Sequence, residues 1–328
     1  MLGIRIVREK HKIMLKDILV SIQCLVYNHE QYLRKCLDGF VMQKTSFAFE
    51  VIVHDDASTD NSVGIIREYA EKYPEIIKPI YETENQYSKH DGSLRRIMDT
   101  AMSPTSKYIA LCEGDDYWTD PYKLQKQVDY LESHPECGLV YTNSMIYDQE
   151  KQHLFKASLP KQSDFRGLLL ESPIMTLTTC FREDLYKKYL EEIERNPAWL
   201  MGDLPLWLFL GSQSDIKYLP DVTSVYRILD NSASHTNDIN KAIRFCMSSF
   251  EIRKYFANKY RCQELIKQIC ITHINELFIL ASVYNQSVSS HVIKLAYKEK
   301  VFAPKVWIKA IVYSTSYGRY YYKRKYSS

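Results

Sequence analysis

A chain of 328 residues with 45% hydrophobic content is long enough for one large domain with an appendage and apolar enough to bury a core, which excludes a disordered protein. No apolar run approaches the roughly 18 residues of a membrane span, and the N-terminal stretch holding Arg5, Arg8, Lys10 and Lys12 lacks the apolar segment of a secretion signal, so neither is expected. The net charge of +3 hides an asymmetry: from Ile293 onward nine Lys or Arg face one acid, Glu299, so that end carries +8 and the remainder −5.

Residues 1–17 read as an arm. Ile18 to Val26 (ILVSIQCLV) is almost continuously apolar, the mark of a strand buried on both faces of a parallel sheet. Tyr27 to Glu30 form a loop, after which Leu33, Cys36, Leu37, Phe40 and Val41 recur at helical spacing. Glu50 to His54 is a second strand, ending in Asp55-Asp56-Ala57-Ser58-Thr59-Asp60, where Ser58, Thr59 or Asp60 can cap a helix over 61–72. A third strand covers about 76–81. Residues 84–106 are polar, with a helix around 92–102. Tyr108 to Cys112 is a buried strand that ends in three carboxylates within four positions, Glu113, Asp115 and Asp116. Thr119-Asp120-Pro121 then reads as a capped helix start, with Leu124, Val128 and Leu131 on one face of a helix over 121–133. A strand at 138–147, a polar connection at 148–165, a strand at 174–181 and a helix at 183–195 follow. Trp199-Leu200-Met201-Gly202-Asp203 leads into an apolar helix through Leu210, and 217–219 and 222–228 read as two short strands around Pro220. From about 237 only helical periodicity remains, as far as 313, before a tail rich in Tyr, Lys and Arg. The eight cysteines show no CxxC spacing and read as buried free thiols, which suits a reducing cytoplasm and excludes a disulfide scaffold.

Strand and helix alternate, which predicts an α/β fold with a doubly wound, mostly parallel sheet. In such sheets ligands bind beyond the carboxyl ends of the strands, so the loops at 27–30, 55–60 and 113–118 are expected to converge on one site. Three carboxylates at the end of a buried strand repel one another, and a divalent cation is the usual compensation. Oxygen-only ligands suit Mg²⁺ or Mn²⁺. No GxGxxG or GxxxxGK[ST] loop is present among the ten glycines, so phosphates would be neutralised by metal rather than wrapped by backbone amides. The plain alternative for the paired acids is a helix-capping turn.

Three ordered motifs carry a resemblance: Ser21-Ile22 with Tyr27-Asn28-His29-Glu30-Gln31-Tyr32-Leu33, Val51 to Asp60, and Tyr108 to Trp118. Together they resemble family 2 glycosyltransferases of the GT-A fold, over about residues 18–230. The resemblance implies a GT-A domain at 18–236 after the arm, then a helical region at 237–328 with a basic aromatic tail. It implies inverting, metal-dependent transfer of a hexosyl or N-acetylhexosaminyl group from a UDP-sugar to a hydroxyl of a glycan or lipid-linked glycan, in cell-surface polysaccharide synthesis. Asp56 matches the acid on the uracil ring, with Asp55 beside it; Tyr27 matches an aromatic on the base, and Asn28 and Glu30 share its loop. Asp115 and Asp116 match the metal- and ribose-binding acids of the DxD signature, with Glu113 in place of its first acid. Asp203 matches the base that takes the acceptor proton, although it stands after Gly202 where many members have Glu; its plain alternative is an N-cap. Arg227 matches a residue on the donor diphosphate, and His235 one on phosphate or metal, or else an ordinary structural histidine. Trp118 and Trp199 are candidates for the floor of a sugar pocket or for the core.

The basic tail interleaves Trp307, Tyr313, Tyr317 and Tyr320 with Lys and Arg, which suits peripheral contact with an anionic membrane on the cytoplasmic side, the plain alternative being a solvated tail. No nucleic-acid recognition module accompanies it, so no nucleic-acid partner is expected. Two rival functions remain at this stage: a sugar nucleotidyltransferase, which would be expected to carry a Gly-rich basic loop where Tyr27 to Glu30 stand, and a non-catalytic nucleotide-sugar-binding scaffold, which would tolerate loss of Asp203.

Overall fold

The computed structural model describes residues 17–157, 162–194, 196–229, 236, 238–301, 304–315 and 319–320. The N-terminal arm, His235 and most of the C-terminal tail fall outside them. Strand β1 (Ile18–Val26) is followed by α1 (Glu30–Val41), β2 (Ala48–Asp55), α2 (Ser62–Lys72), β3 (Ile77–Tyr81) and α3 (Ser93–Ala101). Then come β4 (Tyr108–Leu111), β5 (Tyr117–Trp118), α4 (Lys123–Ser133), β6 (Cys137–Asp148), β7 (His153–Lys156), α5 (Phe165–Leu170), β8 (Thr179–Arg182) and α6 (Glu183–Glu192). Helix α7 (Leu204–Gln213) and β9 (Asp215–Ile228) precede four helices, α8 (Ile239–Lys259), α9 (Ile266–Tyr284), α10 (Ser289–Lys298) and α11 (Pro304–Ser314).

The strands form one sheet in the order β3-β2-β1-β4-β8-β6-β9-β5, with β7 on β6. The first four are parallel, as their apolar runs predict; β8 then pairs antiparallel with both β4 and β6, so the sheet as a whole is mixed. The parallel half sends the carboxyl ends of β1, β2 and β4 to one edge, where the acidic loops begin.

Three local expectations change. Residues 174–178 are not strand: Thr178 Oγ1 donates to the Met175 carbonyl and Thr179 Oγ1 to the Thr176 carbonyl, and these local bonds favour a 3₁₀ turn over a ladder. The two strands expected around Pro220 are one, because the register against β6 shifts between Thr142 and Asn143, and a bulge accommodates the missing proline N–H. The helix expected from 121 starts at Lys123, Asp120 Oδ1 instead accepting the Tyr122 N–H in a turn.

Every residue of α7 from Leu204 to Leu210 is buried, as suits a helix apolar on all sides. Its core continues into α8 and α9 through Phe250, Phe256, Ile274 and Phe278. The C-terminal helices therefore share a core with the sheet domain. Among the described residues one helix, Gln263–Tyr284, is long and apolar enough by length and composition to cross a membrane. Ile269, Ile274, Leu277 and Ala281 of that helix are buried in the core. Tyr313, expected at an interface, is likewise buried and stacks on Phe278. All eight cysteines are buried and free.

Candidate active site

The loops after β1, β2 and β4 meet at one edge, as expected. Asn28 N–H donates to Ser58 Oγ, and Asn28 Oδ1 accepts from Thr59 N–H at 2.8 Å. Glu30 N–H donates to Asp60 Oδ2, and Glu30 Oε2 accepts from Asn61 N–H. Asn28 and Glu30 thus stitch two loops together. Both loops carry a left-handed residue, Asn28 at φ 56° and Ala57 at φ 64°, the latter an uncommon cost for alanine. Tyr27, 47% exposed, projects beside them.

The acidic loop closes against this pair. A Cβ on Gly114 would lie 2.8 Å from His29 Nδ1 and 2.9 Å from Val26 Cγ2, so only glycine permits the approach. His29 Nε2 then lies 4.0 Å from Asp115 Oδ2. Burial pushes the His29 pKa down against the pull of Asp115, Asp60 and Asp55. His29 Nδ1 is buried with no hydrogen-bond partner. Sequence reasoning placed His29 in a motif but gave it no role; its signal lay in the tight Gly114 facing it.

The two aspartates after β2 divide their work. Asp56 accepts from the Gln86 and Tyr87 N–H groups at 2.6 and 3.0 Å, which fixes the 85–90 segment. Asp55 Oδ1 accepts from Ser58 N–H at 3.0 Å, while Oδ2 is buried without a partner. Asp55 therefore retains the free acceptor at this edge.

Asp116 is buried, and its Oδ1 accepts the Arg227 N–H at 2.7 Å, so this acid ties the loop to β9. Arg227 Nε donates to the Asp115 carbonyl, and Nη1 donates to Gln149 Oε1. The guanidinium stacks among Tyr32, Tyr117 and Tyr147, at 4.6–5.6 Å from their ring centroids. Arg227 thus holds the acidic loop against β9 and the 148–151 turn. Glu113 is pushed up to about 7 by burial first, then by the charges of Asp115 and Asp203. Burial, then the charges of Asp115 and Glu113, raise Asp116 well above the ordinary carboxylate value. Among the described residues no three acid, His or Cys side chains converge as a metal cage. The acids present suit instead a cation held by one or two carboxylates and completed by substrate phosphate, with Asp115 the acid nearest the opening. Asp116, expected as a second ligand, accepts the Arg227 N–H of β9 through Oδ1. His235 lies outside the described residues.

Asp203 caps α7. Its Oδ1 accepts from Leu204 N–H at 2.7 Å and its Oδ2 from Thr176 Oγ1 at 3.3 Å. It lines a cavity of 1030 Å³. A second cavity of 730 Å³ is lined by Tyr87, Arg95, Tyr189, Trp199 and Gly202, on the other side of the 201–203 turn. Trp199 belongs to both pocket and packing, since it meets Tyr255 edge-on. Trp118 is core, contrary to its candidacy as a pocket floor: Phe40 packs edge-on to it, and its Nε1–H donates to the Leu177 carbonyl.

A family model described as "Glycosyl transferase family 2" matches residues 21–192. The chain belongs to this family. An uncharacterised protein of Mycobacterium tuberculosis is 50% identical over 211 residues, 63% of this chain and 58% of the relative. The chain thus spans less than two thirds of that relative's length. The putative teichuronic acid biosynthesis glycosyltransferase TuaG of Bacillus subtilis is 25% identical over 218 residues, 66% of this chain and 81% of TuaG. The Staphylococcus aureus TarS structure with UDP-GlcNAc superposes with a TM-score of 0.54 at 16% identity, covering 94% of this chain and 92% of that one. That similarity shows the fold, GT-A, with helices appended at the carboxyl end. In this family 2 glycosyltransferase the residues at one edge are Tyr27, Asn28, His29, Glu30, Asp55, Asp56, Glu113, Asp115, Asp116 and Arg227, with Asp203 near enough to act on Glu113.

Proposed function

We propose that this glycosyltransferase moves a sugar from a UDP-sugar to a hydroxyl of a glycan or lipid-linked glycan, with inversion at the anomeric carbon, in cell-surface polysaccharide synthesis. The observation that carries the reading is the gathering of Glu113, Asp115 and Asp203 at one edge, where burial first and then the charges of the two aspartates raise Glu113 to about 7. A donor diphosphate with its cation would relieve that crowding. Support for UDP comes from the exposed ring of Tyr27, which can cover a base, beside the acidic loop after β2. The base contact is assigned to Asp56, as the resemblance implies, with Asp55 beside it. TuaG supports polysaccharide synthesis and TarS supports a UDP-sugar donor.

Mg²⁺ or Mn²⁺ on Asp115 would offset negative charge on the leaving diphosphate. Asp203 takes the acceptor proton while the hydroxyl oxygen attacks the anomeric carbon. The Leu204 and Thr176 bonds hold its carboxylate in one orientation.

Outward Ile308 and Ile311 of α11, near Lys305 and Lys309, support peripheral contact with an anionic membrane. Co-sedimentation with anionic liposomes should fall when both isoleucines become aspartate; unchanged binding would remove this surface from the proposal.

The test of the activity is a binding and hydrolysis screen of nucleotide sugars with Mn²⁺, Mg²⁺ or chelator. Metal-dependent release of UDP from one donor, lost in Asp115→Ala and Asp203→Asn, is expected. No binding of any nucleotide sugar would sink it.

A further inference from the structure

The 1030 Å³ cavity beside Asp203 is bounded by α7 on one side and by α8 and α9 on the other. Its lining combines polar groups with an apolar stretch. On the α7 side, Trp207 is 1% exposed, and its Nε1–H has no hydrogen-bond partner. Ser172, also in the lining, has a buried Oγ with no hydrogen-bond partner. Buried donors are rarely left unpaired in a folded protein, and two in one cavity lining are explained by a ligand that completes them. Arg253 adds a buried guanidinium to the lining, held by the Leu168 carbonyl and Ser249 Oγ.

The opposite wall, on α8 and α9, carries Ser249, Arg253, Glu276 and Tyr284 and, beside them, an apolar stretch. Phe245, Ile279, Leu280 and Val283 form that stretch, and Ile279 and Val283 remain 40% and 56% exposed at i, i+4 spacing on α9. None of the four carries a polar side-chain atom. A sugar alone has hydroxyls around its whole rim and would leave them facing this stretch without partners. A ligand with a sugar at one end and hydrocarbon at the other meets both parts of the lining with matching chemistry.

We propose that this cavity is the acceptor site and that its acceptor is an amphiphile. A sugar hydroxyl lies at Asp203, flanked by the Trp207 N–H and the Ser172 hydroxyl, and a hydrocarbon portion lies along Phe245, Ile279, Leu280 and Val283. The inference rests on Asp203 being the base. In the transfer, the hydroxyl oxygen forms the new bond to the anomeric carbon. The bond from that carbon to the diphosphate breaks, its electron pair leaves with the nucleoside diphosphate, and the hydroxyl proton goes to Asp203. The C-terminal helices then form half of the acceptor site.

The test is equilibrium binding to the full chain of octyl glycosides below their micellar concentration, each compared with its methyl counterpart, by ligand-observed NMR. The panel is the glucoside, galactoside, mannoside and N-acetylglucosaminide. UDP binding by calorimetry is measured on the same samples. At least one octyl glycoside should bind ~10-fold or more tightly than its methyl form, as burial of several methylenes implies. Ile279→Asp with Val283→Asp should abolish that gain while leaving methyl-glycoside and UDP binding unchanged. Trp207→Phe, which keeps an aromatic ring and removes the donor, should weaken octyl and methyl forms alike by a few fold. Octyl forms binding no better than methyl forms, or a gain untouched by the α9 double variant, would overturn the amphiphile. Failure of UDP to bind while the octyl gain persists would strike the donor reading and leave the ligand class of the cavity standing.

Discussion

The Thr176 hydroxyl donates to Asp203 Oδ2 at 3.3 Å while the Leu204 N–H holds Oδ1 at 2.7 Å. One carboxylate thus starts α7 and stands at the cavity, so the cap leaves room for the proposed base role of Asp203. The two roles separate by substitution. Asparagine caps helices about as well as aspartate, so Asp203→Asn should leave stability nearly unchanged. It cannot accept the acceptor proton, so transfer should fall by ~10²–10⁴ with UDP-sugar binding retained. Asp203→Ala should lose the same activity and, in addition, about 1 kcal/mol of stability in urea denaturation. Full transfer by the asparagine variant would remove the base from the mechanism.

Arg227 joins three parts of the site: the Asp115 carbonyl, Gln149 on the 148–151 turn, and a cage of three tyrosines. Lysine would keep the charge and lose both the planar stacking and the directed Nε bond. Arg227→Lys should cost about 2–3 kcal/mol, the weight of a charge-assisted buried bond with its ring contacts. It should also weaken donor binding, since the acidic loop loses its tether. If Arg227 serves only as a direct contact to donor phosphate, the lysine variant will bind donor less well but keep its native stability. Urea denaturation without ligand, beside titration with UDP, separates the two.

Much of this site was legible because it is built from local runs. The strand Ile18–Val26, the acids that follow β2 and β4, and the meeting of their loops all follow from apolar runs that end in charge. What was hidden depends on contacts between distant segments. The threonine hydroxyls at 176–179 override a strand pattern in favour of a turn, and that turn delivers a partner to Asp203. Pro220 looked like a break because a bulge is a property of two strands, not one. The Arg227 cage draws rings from positions 32, 117 and 147, which no spacing rule connects. The acceptor cavity needs α8 and α9 folded back on α7, and helical periodicity gives a buried face without its partner.

Glu113 makes a prediction about pH and cation together. Its ordinary value is 4.5, and burial with the Asp115 and Asp203 charges raises it to about 7 in the folded chain. Between those values the folded state holds more protons than the unfolded one, so stability falls as pH rises from about 4.5 to about 7 and then levels. Glu113→Gln should flatten that descent in Tm. Mn²⁺ should raise Tm more at pH 8 than at pH 5.5 if the acids at this edge receive a cation. A descent equally steep in the glutamine variant would mean that Glu113 is not the group responsible.

Lys123 gives the opposite slope. It is fully buried, its Nζ donates to Gln127 Oε1 at 2.7 Å, and it lies 4.1 Å from the centroid of the Trp118 ring. Burial pushes its pKa down from 10.5 to about 8. Between those values the folded state holds fewer protons than the unfolded one. The cost of burying the charge is therefore fully present below pH 8 and is relieved as pH rises toward 10.5. Lys123→Met keeps the volume of the stem and removes the titrating group. Other groups titrate in the same range, so the quantity to follow is the difference in Tm between native and Lys123→Met across pH 7 to 10. The native protein should gain on the variant as pH rises through 8. Parallel curves over that range would show that the amine under Trp118 keeps its ordinary affinity for a proton, and the cation would then be stabilised by its ring and amide neighbours as fully as by water.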